Sequence, residues 1–396
     1  MGVWKLGVAL GLVALSGLSL ARWAAGEPIP FEKLLKTATE KVNKNPNSAE
    51  ARFFLARVNS YGFAMEGEEV AVYNFKEGKP TFPSYASVQV EPKKKEFSEK
   101  AIGYLTQSLI HYHKAAQLDS ANAVIALGYG WMMEQYAVHF NKVSKDKGVS
   151  GFSSQKQAWD KAFSEYRRAF NISKDGDLKL TGRNPGQRDS VVSYEAASNL
   201  LRLDEAGKLK LTKAEKERYQ KHLKAIEKIP VYMTPMILPI NRKDTLVSLL
   251  DHSNSVPFDL DGTGREQKWN WVQPSAGILV WDPAKTGRIN SGRQLFGNAT
   301  FWMLFKDGFD ALSALDTNFD GWLTGKELDG IRVWQDRNRN GISDKGEMIE
   351  LRELKITGLK TKFTHFSKGM KTAVKGVQYS DGSFGPLYDW IAQSRS

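Results

Sequence analysis

From Phe31 to about Ile229 the apolar residues recur three and four positions apart. Leu34, Leu35, Ala38 and Val42 fall on one face of a first segment, and Phe54, Leu55 and Val58 open a second. Between them Asn45-Pro46-Asn47-Ser48 breaks the run. This spacing predicts amphipathic helices, and the Asn/Pro cluster predicts the turn joining them. The stretch AIGYLTQSLIHYHKAAQLDSANAVIALGYGWMMEQ repeats the pattern, with a turn at Asp119–Asn122. KAFSEYRRAFNIS and SYEAASNLLRL add two more amphipathic segments, and residues 204–228 read as a charged helix leading out. Pro230, Pro235 and Pro239 then exclude a long regular helix, which marks a linker.

Composition narrows the classes. A chain of 396 residues holds two or three domains, and 41% hydrophobic with 25% charged residues excludes disorder of the whole. There is no cysteine, so disulfides, thiolate nucleophiles and Cys-based zinc sites are excluded. The net charge is +12, but the lysines are scattered and carry no signature of a specific nucleic-acid partner. At the start of the chain Lys5 precedes an apolar run from Leu6 to Ala21, followed by small residues at Ala21 and at Ala24-Ala25-Gly26. That is a signal-peptide pattern, too short for the roughly 18–20 apolar residues of a span. Export to the periplasm or beyond is expected, with no transmembrane span once the leader is removed. His111 and His113 stand two apart on a helix, so they face apart and cannot readily share a metal.

The C-terminal third is rich in oxygen ligands. In DTNFDGWLTGKE, Asp316, Asn318, Asp320, Thr324 and Glu327 take loop positions 1, 3, 5, 9 and 12, Gly321 takes the bend, and Trp322 offers a carbonyl at position 7. In DRNRNGISDKGE the same positions go to Asp336, Asn338, Asn340, Asp344 and Glu347, with Gly341 at the bend and Ile342 at position 7. Six to eight hard oxygens on one wrapped loop is what Ca²⁺ requires, and two such loops in succession rarely arise by chance. Two Ca²⁺ ions are therefore expected here. Phe309, Leu312 and Leu315 lead into the first loop, and Leu328, Ile331 and Trp334 lead out of it, so one short helix is expected to serve both.

FDLDGTG at residues 258–264 has a second possible meaning, as the aspartate nucleophile of a haloacid dehalogenase-like phosphatase. Pro257 is expected to break the strand that chemistry needs, and no paired acidic magnesium motif follows. Set beside WNWVQPSAGILVWDPAKTGRINSGRQLFG and the two loops, the stretch instead resembles the EF-hand-like calcium domain of bacterial secreted and RTX-associated proteins, over about Val256–Leu354. Departures occur upstream: Thr263, Ala284, Thr286, Arg293 and Gln294 stand where that family carries oxygen-rich ligands or acids. Those upstream loops are expected to keep their turns and to have lost most of their affinity.

Together these readings imply a mainly α protein, in which an irregular helical-hairpin domain loosely similar to tetratricopeptide repeats precedes a small α+β EF-hand-like calcium-binding domain. The divisions expected are 1–26 signal peptide, 27–229 helical domain, 230–255 proline-containing linker and 256–396 calcium-binding domain. No Ser/His/Asp grouping, HExxH helix or Walker loop appears, so a non-catalytic role is expected. Calcium would stabilise the C-terminal module while the helical domain engages a protein or an envelope polymer. The alternative is an envelope hydrolase or polysaccharide-binding protein with structural calcium.

Overall fold

The computed structural model describes residues 29–67, 98–143, 152–179, 192–226, 228–229, 232–262, 266–303 and 305–395. The leader, with Thr263 and Gly264, lies outside them. The helices are α1 Phe31–Lys44, α2 Ala49–Gly67, α3 Glu99–Leu118, α4 Ala123–Val138, α5 Phe140–Val143, α6 Gln155–Leu178, α7 Val192–Glu205 and α8 Lys213–Ile226. Their starts are written in polar side chains. Ser98, Asn122 and Ser154 accept backbone N–H groups in the first turns of α3, α4 and α6, which would otherwise lack partners.

One helix sits at the centre of this group. Nearly every residue of α4 from Ala123 to Ala137 is buried, which an all-round apolar sequence requires. Its one carboxylate, Glu134, is fully engaged. Tyr166 Oη donates to it at 2.8 Å and the Arg202 guanidinium at 2.7 and 2.8 Å. Gly128 lets α3 approach, since a Cβ there would fall 2.4 Å from Tyr112 Oη.

The rest of the chain departs from expectation. After β1 Tyr232–Met233 and β2 Met236–Pro239 come α9 Leu246–Leu249, β3 Leu250–Phe258, β4 Gln267–Val272 and β5 Ala276–Trp281. Then follow α10 Gly308–Ser313, β6 Trp322–Thr324, β7 Ile331–Trp334 and β8 Met348–Glu350. The last five strands are β9 Ile356–Lys360, β10 His365–Ser367, β11 Met370–Tyr379, β12 Phe384–Asp389 and β13 Ala392–Arg395. They form a four-stranded sheet ordered β1-β13-β4-β3 and a larger one ordered β6-β9-β11-β12-β2-β5-β7-β8, with β10 paired on β11. The paired strands run antiparallel, and the larger sheet curls into a half-barrel.

The expected fold class, mainly α with a small α+β EF-hand-like module, is therefore overturned. About 46% of the described residues are helical and 21% lie in strands, the latter concentrated in this one large sheet domain. The physical reason shows at Ile331, Val333 and Trp334. They are buried in β7, paired with β5 and β8, where a helical stripe was expected. Pro257 likewise does not break its strand. It lies inside β3 opposite Lys268, on the sheet edge, where a missing N–H costs no ladder bond.

The helices line two cores, and α2 contributes to both through Leu55 and Val58 on one side and Ala56 and Phe63 on the other. Leu34, Ala38, Val42, Leu55 and Val58 of α1 and α2 share a core with Phe301, Phe305, Phe309, Leu323 and Leu359 of the sheet domain, whereas α3, α4, α6 and α7 centre a separate core. Tyr61 on α2 donates its hydroxyl to the Phe301 carbonyl at 2.5 Å across the shared core. A third core holds Trp269, Trp271, Trp334 and Trp390, all under 2% exposed. Burying such a side chain removes roughly 150–250 Å² from water, worth about 4–6 kcal/mol in area terms before entropy. These four indoles thus serve packing.

Two helical glycines give opposed expectations. Gly128→Ala should destabilise the protein, because overpacking against Tyr112 costs about 1–3 kcal/mol and outweighs a helix-propensity gain of at most about 1 kcal/mol. Gly103→Ala, on α3 with nothing within 4 Å of its Cβ position, should stabilise by about 0.5–1 kcal/mol. Urea denaturation of the two variants checks the packing of α4 on α3, and equal effects would refute it.

Candidate functional site

The two acidic loops lie at the ends of strands. The first begins three residues after α10, passes through β6 and ends in the short turn Gly325–Leu328; β6 pairs with β9 through Trp322–Lys360, Leu323–Leu359 and Thr324–Gly358. Its carboxylates bind the loop's own backbone. Asp316 accepts from the Phe319 and Gly321 N–H groups at 2.7 and 3.0 Å. Asn318 accepts from Asp320 N–H and Asp320 from Trp322 N–H, at 2.9 and 2.8 Å. Glu327 accepts from the Thr317 and Thr324 N–H groups at 2.6 and 3.2 Å, forming a capping box with Thr324. Gly321 takes φ +87°, a left-handed bend suited to glycine.

The second loop repeats this wiring between β7 and β8. Asp336 is completely buried and accepts from Gly341 N–H at 2.9 Å and from the Trp271 indole at 2.7 Å. Asn338 and Asn340 both donate to Asp344, at 2.8 and 2.9 Å, while Asn340 accepts from Ile342 N–H at 2.7 Å. Glu347 accepts from Arg337 and Asp344 N–H groups and from the Trp334 indole. Ile342 is 61% exposed, so its side chain anchors nothing. Burial holds the Asp316 and Asp336 carboxyls above their ordinary range, against the hydrogen bonds that pull them down.

The expectation of a metal-binding, EF-hand pair is corrected on two counts. The second loop is strand–loop–strand, and the short turn Gly325–Leu328 replaces the helix meant to serve both loops. Among the described residues, no group of three or more His, Asp or Glu side chains converges so as to hold a metal ion. The acids of the loops are turned onto amides, indoles and amide side chains.

Upstream, the acids of the degenerate loops are met by arginines from elsewhere in the fold. Asp282 is completely buried and accepts from Thr286 and Gly287 N–H groups and from the Arg332 guanidinium at 2.6 Å. Arg293 is buried beside Asp259 and Asp261 and donates to the Gly262 carbonyl at 2.7 Å. Desolvation lowers its pKa to about 10, partly offset by those two acids. Sequence reasoning noted Arg293 as a lost ligand, not as a charge placed between acids, and it missed Arg332. The nucleophile reading of Asp259 finds no parallel strand either, since β3 pairs antiparallel with β4.

A further cluster had no sequence signal. Asp389 accepts from Gly308 N–H at 2.9 Å, and neighbouring Asp307 caps α10 and receives the Lys371 ammonium at 2.6 Å. Burial, reinforced by Asp307, pushes the Asp389 carboxyl well above the carboxylate range.

Two measurements probe these wirings. Glu327→Ala strands two backbone donors and should cost about 1–3 kcal/mol in urea unfolding. The same variant addresses Ca²⁺. A rise in the wild-type melting midpoint with millimolar Ca²⁺ that the variant lacks would return the ion to this loop, whereas coincident midpoints would leave a self-bonded turn. For Asp389 the raised folded value means its contribution is complete below the unfolded value of about 3.9 and drains away as pH rises towards the folded one. Asp389→Asn should therefore gain stability relative to wild type from about pH 4 upward, and a pH-independent difference would refute the buried neutral acid.

With this geometry in place, the comparisons fit the sheet domain. Residues 238–391 match the family model described as the SPM domain, which spans β2 to the end of β12 and both acidic loops. This match, not an EF-hand, replaces the resemblance expected from sequence. A stretch of 118 residues, 28% of the chain, is 34% identical to "Iron-regulated protein FrpA" of Neisseria meningitidis serogroup C. That stretch spans only 11% of the relative's length.

Proposed function

We propose that the chain is an exported, non-catalytic binding protein whose helical domain takes up an acidic segment of a partner. One observation carries this reading. A groove of about 880 Å³ runs along α6 and the Lys208–Lys210 segment, lined by exposed Lys208 and Lys210, by Arg167 and Arg168, which pair with Glu215 and Glu165, and by one acid, Asp160. Phe163, Ile172 and Leu209 supply apolar contact between the charges. Such a surface suits a peptide carrying both acidic and apolar side chains.

Export is supported by the leader pattern, and no described helix is long and apolar enough to cross a membrane. The hydrolase alternative asks for a free carboxylate pair in a cleft. A second cavity of about 360 Å³, between α1–α2 and the sheet domain, does contain Glu50 and Asp310. Both are tied to Lys306, Glu50 by its ammonium and Asp310 by its backbone N–H. The binding reading is therefore the stronger.

Fluorescence anisotropy with a labelled twelve-residue Glu/Leu peptide, and with its Lys/Leu counterpart, tests the groove. The acidic peptide should bind and the basic one should not, with affinity falling as salt is raised. Lys208→Glu with Lys210→Glu, at two exposed positions, should weaken binding about tenfold or more. Equal affinity for both peptides, or no loss in the double variant, would sink the proposal.

A further inference from the structure

The β10–β11 hairpin stands apart from the rest of the sheet. β10 pairs with β11 alone, off the path of the main sheet. Lys368 and Gly369 form its tip, both in left-handed conformation at φ +50° and +82°. Every residue from Lys362 to Phe366 is exposed, including Phe366 at 61% and Phe363 at 40%. The two rings meet edge to face at 5.4 Å, so they present one apolar patch on the hairpin.

The sequence around the hairpin is basic. Residues 354–380 contain six lysines, Lys355, Lys360, Lys362, Lys368, Lys371 and Lys375, and no acid. Lys371 lies over the Phe363 ring at 5.4 Å while its ammonium reaches Asp307. Lys362 and Lys368 flank the aromatic pair and are exposed. Phenylalanine has no hydrogen-bonding atom, so an exposed pair gains most where hydrocarbon is within reach. Lysines beside it, on flexible aliphatic stems, suit a negative surface just outside that hydrocarbon.

We propose that this hairpin is a membrane-contacting element. It seats Phe363 and Phe366 at the headgroup–acyl boundary of a bilayer containing anionic lipid, with Lys362 and Lys368 on the headgroups. This interaction is separate from the groove on the helical domain. It is a surface contact that spans nothing, and its strength follows the buried apolar area and the lipid charge. The hairpin lies far in sequence from the leader run, so the two can be read separately.

The absence of cysteine makes the test direct, because an introduced thiol is unique. Full-length Ser367→Cys carries an environment-sensitive NBD label next to Phe366, and Val247→Cys, at a 62% exposed position on α9, serves as the control. Vesicles of phosphatidylcholine with phosphatidylglycerol should raise and blue-shift the emission at 367 but not at 247. Pure phosphatidylcholine should do so far less, and Phe366→Ala in the labelled background should cut apparent affinity about tenfold. Lys362→Glu with Lys368→Glu should remove the preference for anionic lipid. An unchanged signal, an equal response to neutral vesicles, or a response to soluble polyphosphate would each overturn the proposal. So would a response to protein concentration alone, which would make the patch a contact between copies of the chain.

Discussion

The shared core beneath α1 and α2 is the constraint on which the arrangement of the molecule rests. These helices bury Leu34, Ala38, Leu55 and Val58 against the sheet domain, beside Phe309, Leu315, Leu323 and Leu359. One side of this first helical hairpin is thus held by the sheet domain, while Ala56 and Phe63 of α2 join the core of the neighbouring helices. Contacts at its rim agree: Lys33 donates to the Lys326 carbonyl at 3.1 Å, and the Lys44 ammonium sits 3.6 Å from the Phe319 ring centre. Both partners belong to the first acidic loop. The loop is thus part of the seam between helices and sheet, and its shape bears on how the two halves meet.

The acidic loops then illustrate one chemical problem solved in two ways. A tight turn with several inward carboxylates needs something positive at its centre. At Asp316 and Asp336 the partial charges of backbone N–H groups, and at Asp336 an indole, fill that role. At Asp259 and Asp282 full charges do it, through Arg293 and Arg332. A buried arginine is costly to desolvate and repays the cost only where acids surround it, as they do here.

Much of the helical half was legible in the sequence, because helical periodicity and polar caps are local signals. The turn at Asp119–Asn122 and the break after Val42 are examples: Asn122 caps α4, and Val42 is the last buried residue of α1. The left-handed bends at Gly321 and Gly341 were legible for the same reason. The sheet was not. Strand β11 alternates irregularly across a register shift between Ala373 and Val377, and its lysines mask the apolar positions. β7 is four residues long, too short to separate a period of two from a helical stripe. For the loop acids, spacing identifies which oxygens a loop contains but not the loop amides that those oxygens also accept. Asp389 was invisible because its environment is assembled from β2, α10 and β11, remote from it in the chain.

The strand order carries a consequence for how the chain reaches this state. β2 lies at the middle of the large sheet, between β5 and β12, and Ile237 pairs with Tyr388. The seat beside β2 therefore stays vacant through synthesis of roughly 150 intervening residues, and closing so long a loop is slow. Helices α3 to α8, whose contacts are nearly all between neighbours, have no such delay. A chain threaded through a translocation channel from its N-terminus would thus emerge with its helical half able to fold at once. The half-barrel would stay an open edge until its last strands arrived, and that interval is when it is most exposed to proteases and to pairing with other chains.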